Sequence, residues 1–86
     1  MASVGDLYMD LTCTPNGNRL FVVTEMDTAR RFGKPDELLT GRLYNYNDAG
    51  DAVFFEESTR WLSSMKAHVG RVKDINLVTI TKDDVE

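Results

Sequence analysis

Cys13 and His68 are the one cysteine and the one histidine of this 86-residue chain, and so the only pair from which a thiol nucleophile and its base could be assembled. The reactive form of cysteine is the thiolate, which forms near neutral pH only beside a basic or cationic group. Cys13 falls instead on the apolar side of an alternating stretch, where a thiol packs as a small hydrophobe. His68 falls near the C-terminal end of an expected helix, where the helix dipole is reason enough for an imidazolium. Glu56 and Glu57 are adjacent on an expected strand and point to opposite faces, so they cannot share a proton, and Asp83 and Asp84 lie in a charged tail. No catalytic residue is expected, and the chain reads as a non-enzyme.

The metal and nucleotide templates fare no better. Asn45, Asn47, Gly50 and Glu56 fall at the first, third, sixth and twelfth positions of a calcium loop. Ala49 then occupies a ligand position, Asn45 replaces an aspartate, and the flanks alternate as strands where helices are required. A plain β-turn accounts for the same residues. Gly33, Gly41, Gly50 and Gly70 are dispersed, with no glycine-rich loop leading into a helix through a lysine. No metal, cofactor or nucleotide site is expected.

Composition narrows the class. With 42% hydrophobic and 28% charged residues the chain should fold, and its length suits one small domain over residues 1–86. The net charge of -4 opposes phosphate backbones and anionic lipid, so nucleic acid is disfavoured as a partner and no membrane is expected. The lone cysteine suits a reducing compartment, and the first residues lack the blocks of a signal peptide. A cytoplasmic location follows, the host cytosol if the chain is phage-encoded.

The positioning elements are read from periodicity. Asp6 to Cys13 alternate strictly, Thr14 to Asn18 carry turn residues, and Arg19 to Met26 return as a partner strand, with Leu11 expected opposite Phe21 and Met9 opposite Val23. Alternation then stops. Asp27 to Gly33 and Lys34 to Leu39 read as short helical turns, the first closed by glycine and the second opened by Pro35. Arg42 to Tyr46 and Asp51 to Glu56 form a second hairpin about Asn47 to Gly50. Ser58 suits a helix N-cap, and Trp61, Leu62, Met65 and Val69 share one helical stripe ending at Gly70. Ile75 to Thr81 is β-branched and reads as a last strand. The expected fold is α+β: an antiparallel sheet of four to five strands with one amphipathic helix on one face, in the order ββ(short helix)ββαβ. Leu11, Phe21, Leu43, Phe55, Trp61, Leu62, Met65 and Leu77 are its expected core.

Function enters through the second hairpin. Its expected register places Tyr44 opposite Phe54, Tyr46 opposite Ala52 and Arg42 opposite Glu56, so Tyr44, Tyr46 and Phe54 share a face flanked by Arg42 and Glu56. Leu43, Val53 and Phe55 take the other face. A ribbon apolar on both sides needs two apolar neighbours, and one helix supplies one, which makes Tyr44, Tyr46, Phe54, Arg42 and Glu56 the expected partner-binding patch. The expected function is protein binding, as in the small inhibitors that phages and mobile elements direct against a host nucleic-acid enzyme or defence complex, an anti-CRISPR-like role. One alternative is a homodimeric accessory protein. Another is single-stranded nucleic-acid binding by Arg30, Arg31, Lys34 and Arg42 beside Tyr44 and Tyr46.

Overall fold

The computed structural model describes residues 1–10 and 19–86. Among these, six strands form one wholly antiparallel sheet: β1 (Asp6–Asp10), β2 (Arg19–Arg31), β3 (Lys34–Tyr46), β4 (Ala52–Trp61), β5 (Met65–Arg71) and β6 (Thr79–Ile80). Their order across the sheet is β5-β1-β2-β3-β4-β6. The α+β expectation is therefore overturned: the three stretches read as helical lie in β2, β3, β4 and β5, and the only helical residues among those described are short 3-10 turns at Leu62–Ser64 and Lys82–Asp84.

The connection between β4 and β5 dictates the curvature. These strands lie four places apart, which in a flat sheet would separate them by about 19 Å. Only Leu62–Ser64 joins them, and the four steps from Trp61 to Met65 reach at most about 14 Å. The sheet must curl, and it does so into a half-barrel. Across the gap the Arg60 Nε donates to the Asp10 carboxylate at 2.9 Å, with Asp10 almost fully buried. The far end is tied by main chain: Val72 pairs with Val85, and the Glu86 amide donates to the Arg71 carbonyl at 2.7 Å.

Both faces of the sheet carry a core. Leu20 and Val22 of β2 meet Leu7 and Tyr44 on one face, covered by Val72, Ile75, Leu77, Ile80 and Val85. Phe21 and Val23 meet Leu39 and Leu43 on the other, covered by Ala2, Leu62 and Met65. The two neighbours that a two-faced apolar ribbon requires are thus both segments of this chain.

The expected helix over Ser58–Val69 fails because an open sheet edge outweighs a weak stripe. As strands, these residues cover the outer edge of β3 on one side and of β1 on the other, satisfying backbone groups that a helix would leave bare. Gly70, read as a helix stop, lies against Val85 and Glu86. The helical turns expected between Asp27 and Leu39 are instead the outer half of the β2–β3 hairpin, which continues in register to Arg31↔Lys34. Pro35 is tolerated because its pair with Arg30 is of the non-hydrogen-bonded kind, so its missing N–H faces the open side.

Two registers also differ. Leu7 pairs with Val22, Tyr8 with Phe21 and Met9 with Leu20, so Met9 is not opposite Val23; Leu11, Cys13 and the first turn lie outside the described residues. In β3–β4, Tyr44 pairs with Phe54 and Tyr46 with Ala52, but a bulge at Phe55 puts Glu56 opposite Leu43 and Glu57 opposite Arg42. Phe55, expected in the core, is therefore 51% exposed. The expected last strand shrinks to Thr79–Ile80, antiparallel to β4. Among the described residues no helix is long and apolar enough to cross a membrane.

Candidate functional site

The β3–β4 hairpin brings three of its five expected patch residues into one tight group. The Arg42 guanidinium stacks 4.0 Å from the centre of the Phe54 ring, and its Nε donates to the Tyr44 hydroxyl at 3.1 Å. The Tyr44 and Phe54 rings meet edge to face at 5.9 Å, and both Tyr44 Oη and Arg42 Nη2 donate to the Leu77 carbonyl. Tyr44 is wholly buried and Phe54 partly so. This group fastens the 72–80 segment to the sheet. The remaining two residues stand apart: Glu56 is exposed opposite Leu43 and forms no ion pair with Arg42, while Tyr46 is 48% exposed beyond the end of the cluster.

Tyr46 borders a groove of about 520 Å³ where the sheet ends. Leu20, Ile80 and Val85 supply its apolar lining, and Asp51 and Asp83 stand beside it with one cation, Lys82. Partial burial pushes the Tyr46 hydroxyl above its ordinary titration range. The nearby turn is held by Asn47, whose side-chain oxygen accepts from the Asp51 amide at 3.0 Å while its carbonyl accepts from Gly50 at 3.0 Å. Of the calcium-template residues, Asn47 and Gly50 thus build a turn, while Asn45 lies in β3 and Glu56 in β4.

The second accessible feature is one the sequence reading missed. Past Leu38↔Trp61, β3 has β2 alone as a paired neighbour, and the last four residue pairs project as a two-stranded arm of about 13 Å. Phe32 and Gly33 close it with φ of 54° and 78°, the pattern of a type I′ turn. Asparagine or aspartate ordinarily stands where Phe32 does, because a bulky side chain is strained at positive φ. The Phe32 ring is 90% exposed.

Arg30, Arg31 and Lys34 flank that ring in sequence, and Arg31 lies against it. Arg30 Nη2 donates to the Gly33 carbonyl at 2.7 Å, fixing the turn. The Arg31 guanidinium lies 5.2 Å from the Phe32 ring and 5.6 Å from the Trp61 ring, and donates to Ser63 Oγ at 3.3 Å. Ser63 in turn donates its hydroxyl at 2.5 Å and its amide at 3.3 Å to Asp36. The hydroxyl bond, helped by the amides of Glu37 and Ser63 and by the charge of Arg31, holds the Asp36 carboxyl below its ordinary range against a smaller opposing effect of burial. Leu62–Ser64 thereby braces the arm and presets Arg31.

The remaining titratable cluster is structural in its contacts. His68 Nε2 and Arg71 Nε lie 3.3 and 3.5 Å from the Asp6 carboxylate, which also accepts from the Ser3 amide at 2.7 Å, and the His68 ring meets Tyr8 edge to face. These contacts fasten β5 to β1. Among the described residues no group of three or more His, Cys, Asp or Glu side chains is gathered as a metal site. The chain matches no protein-family model, no curated protein and no solved structure.

Proposed function

We propose that this chain is a non-enzymatic protein-binding domain that engages its partner with the tip of the β2–β3 arm. The observation that carries this reading is Phe32, a large apolar ring held 90% exposed at positive φ. That backbone geometry costs about 1 to 2 kcal/mol in an L-residue, and solvent exposure returns none of it to the fold. A flanking trio of Arg30, Arg31 and Lys34 adds the residue types that dominate interface hot spots, aromatic and arginine together. The inhibitor form of this function, a phage or mobile-element protein acting on a host enzyme or defence complex in the cytosol, is supported by small size, acidity and a single cysteine. Nucleic acid is the second reading, favoured by three cations around an aromatic tip. It is the weaker one, because Asp27, Asp36 and Glu37 occupy the pairs just behind the tip and the whole chain is acidic.

Phe32→Asn separates binding from folding, since asparagine suits the turn and the ring contributes no core packing. The variant should melt at or above the wild-type temperature yet fail to retain a protein that the wild type captures from host lysate. Equal capture by both would refute the arm as the binding element.

A further inference from the structure

The arm tip and the Tyr46 groove are opposite in chemistry and lie at opposite ends of the molecule. Pro35 and Tyr46 are eleven residue steps apart along β3, about 36 Å of strand in a chain whose longest dimension is 42 Å. One end presents an exposed phenyl ring among Arg30, Arg31 and Lys34, with no carboxylate from 30 to 35. The other presents an apolar groove of about 520 Å³ beside Asp51 and Asp83, with Asp48 in the adjoining turn and Lys82 as its one cation, so carboxylates outnumber ammonium there three to one. Because a rigid strand separates them, the two ends of one molecule cannot meet. They can meet between molecules.

We infer that the arm tip of one copy docks in the Tyr46 groove of a second copy, head to tail. Phe32 enters between Tyr46 and the Leu20, Ile80 and Val85 lining, while the tip cations face Asp51 and Asp83. This inference rests on the reading of the arm as a binding element and names its partner. Such a contact is heterologous: an open assembly always retains one free tip at one end and one free groove at the other, so growth continues until a ring closes. The surface at the end of a two-stranded arm is small, so association is weak and rises with concentration, and its charge pairing makes it sensitive to salt.

The test is sedimentation equilibrium of the full chain from ~10 µM to ~1 mM, in ~0.05 M and ~0.5 M sodium chloride. Wild type should exceed the 9.7 kDa monomer mass as concentration rises, and less so at high salt. Phe32→Asn, which removes the tip, and the double variant Asp51→Lys with Asp83→Lys, which reverses the groove, should each weaken association at least ~30-fold while keeping wild-type circular dichroism. Mixing the two variants restores one intact tip facing one intact groove, so the mixture should recover mass and stop at two chains. A wild type that stays monomeric throughout, association indifferent to Phe32→Asn, or a mixture that fails to pair would each overturn the inference. A labelled ~20-nucleotide single strand or duplex that binds a monomeric wild type, and loses binding in Phe32→Asn, would make nucleic acid the occupant instead. If wild type is monomeric while Phe32→Asn loses a captured host protein, the self-docking fails and the binding-domain reading stands. If that variant also keeps every captured protein, both fail.

Discussion

Gly41→Ala should be among the most damaging substitutions in this chain, although it adds a single methyl group. Gly41 lies in the middle of β3, opposite Val23, and its backbone carries no left-handed strain. A Cβ there would stand 2.2 Å from the Val22 carbonyl oxygen and 2.6 and 2.8 Å from two carbons of the Phe21 ring. Real Cβ contacts do not fall below 3.0 Å, so β2 and β3 must part by at least 0.8 Å, the difference between 3.0 and 2.2 Å. A ladder bond of about 2.9 Å stretched by that much passes the length at which it still counts as a hydrogen bond. Two such bonds at about 1 kcal/mol each, and about 1 kcal/mol for forcing the buried Phe21 ring off its rotamer, give a loss of about 3 kcal/mol. The whole domain has roughly 4 to 13 kcal/mol to lose. The melting temperature should fall by about 12 °C or more, read by circular dichroism and checked by urea titration for an unchanged slope. Gly33→Ala is the control: its Cβ would meet nothing within 4 Å, and its φ of 78° costs about 1 to 2 kcal/mol. If Gly41→Ala melts with the wild type, or is milder than Gly33→Ala, the close approach of Phe21 and Val22 to this glycine is misread.

Two further outcomes follow from burial and titration. Tyr44→Ala empties a fully buried site and should cost about 3 to 5 kcal/mol, whereas Tyr46→Ser, half exposed at the groove, should cost about 1 kcal/mol or less; thermal melts of the two single variants separate them. The Asp36 carboxyl, lowered chiefly by Ser63, binds fewer protons folded than unfolded, so its contribution is present above its ordinary value of 3.8 and is lost as pH falls below that. The melting temperature of wild type should accordingly drop further than that of Asp36→Asn between about pH 5 and about pH 2, and parallel curves would remove Asp36 as a source of acid sensitivity.

The inner segments were legible as strands. β1 alternates, the inner half of β2 is a continuous apolar run from Leu20 to Val23 with both faces buried, and in the second hairpin the Tyr44↔Phe54 and Tyr46↔Ala52 pairs follow from the Asn47–Gly50 turn. The unread portions lack that signal for physical reasons. Thr28 to Arg31 and Lys34 to Glu37 form a two-stranded arm with solvent near both faces, so no period of two is imposed on them. Phe32-Gly33 hides a type I′ turn because the expected asparagine or aspartate is absent. β5 has no fully buried residue, and Trp61, Leu62, Met65 and Val69 fall at helical spacing while a serine pair turns the chain between β4 and β5. The bulge at Phe55 leaves no trace in residue type, and it alone moves Glu56 away from Arg42. Of the expected patch, the ring cluster was foreseeable and its burial was not, because the covering residues from Val72 to Val85 come from a segment with only two residues in strand.

The place of β1 between β2 and β5 carries a kinetic consequence. One edge of β1 can be paired as soon as β2 exists, but its other edge waits for residues 65–71, which a ribosome completes about 2 to 8 s later at ordinary elongation rates. Throughout that interval Leu7 and Met9 sit on a strand with unpaired backbone, beside a nascent chain that has no closing partner. The bond from Arg71 to the Val4 carbonyl and that from Arg60 to Asp10 form only after 67 and 50 residues of separation have been bridged, which places this small domain among slow, nonlocal folders. When many chains are made together, a β5 strand from one ribosome can reach the vacant edge of a neighbour before its own, and the product would be a strand-exchanged dimer held by the same hydrogen bonds as the monomer.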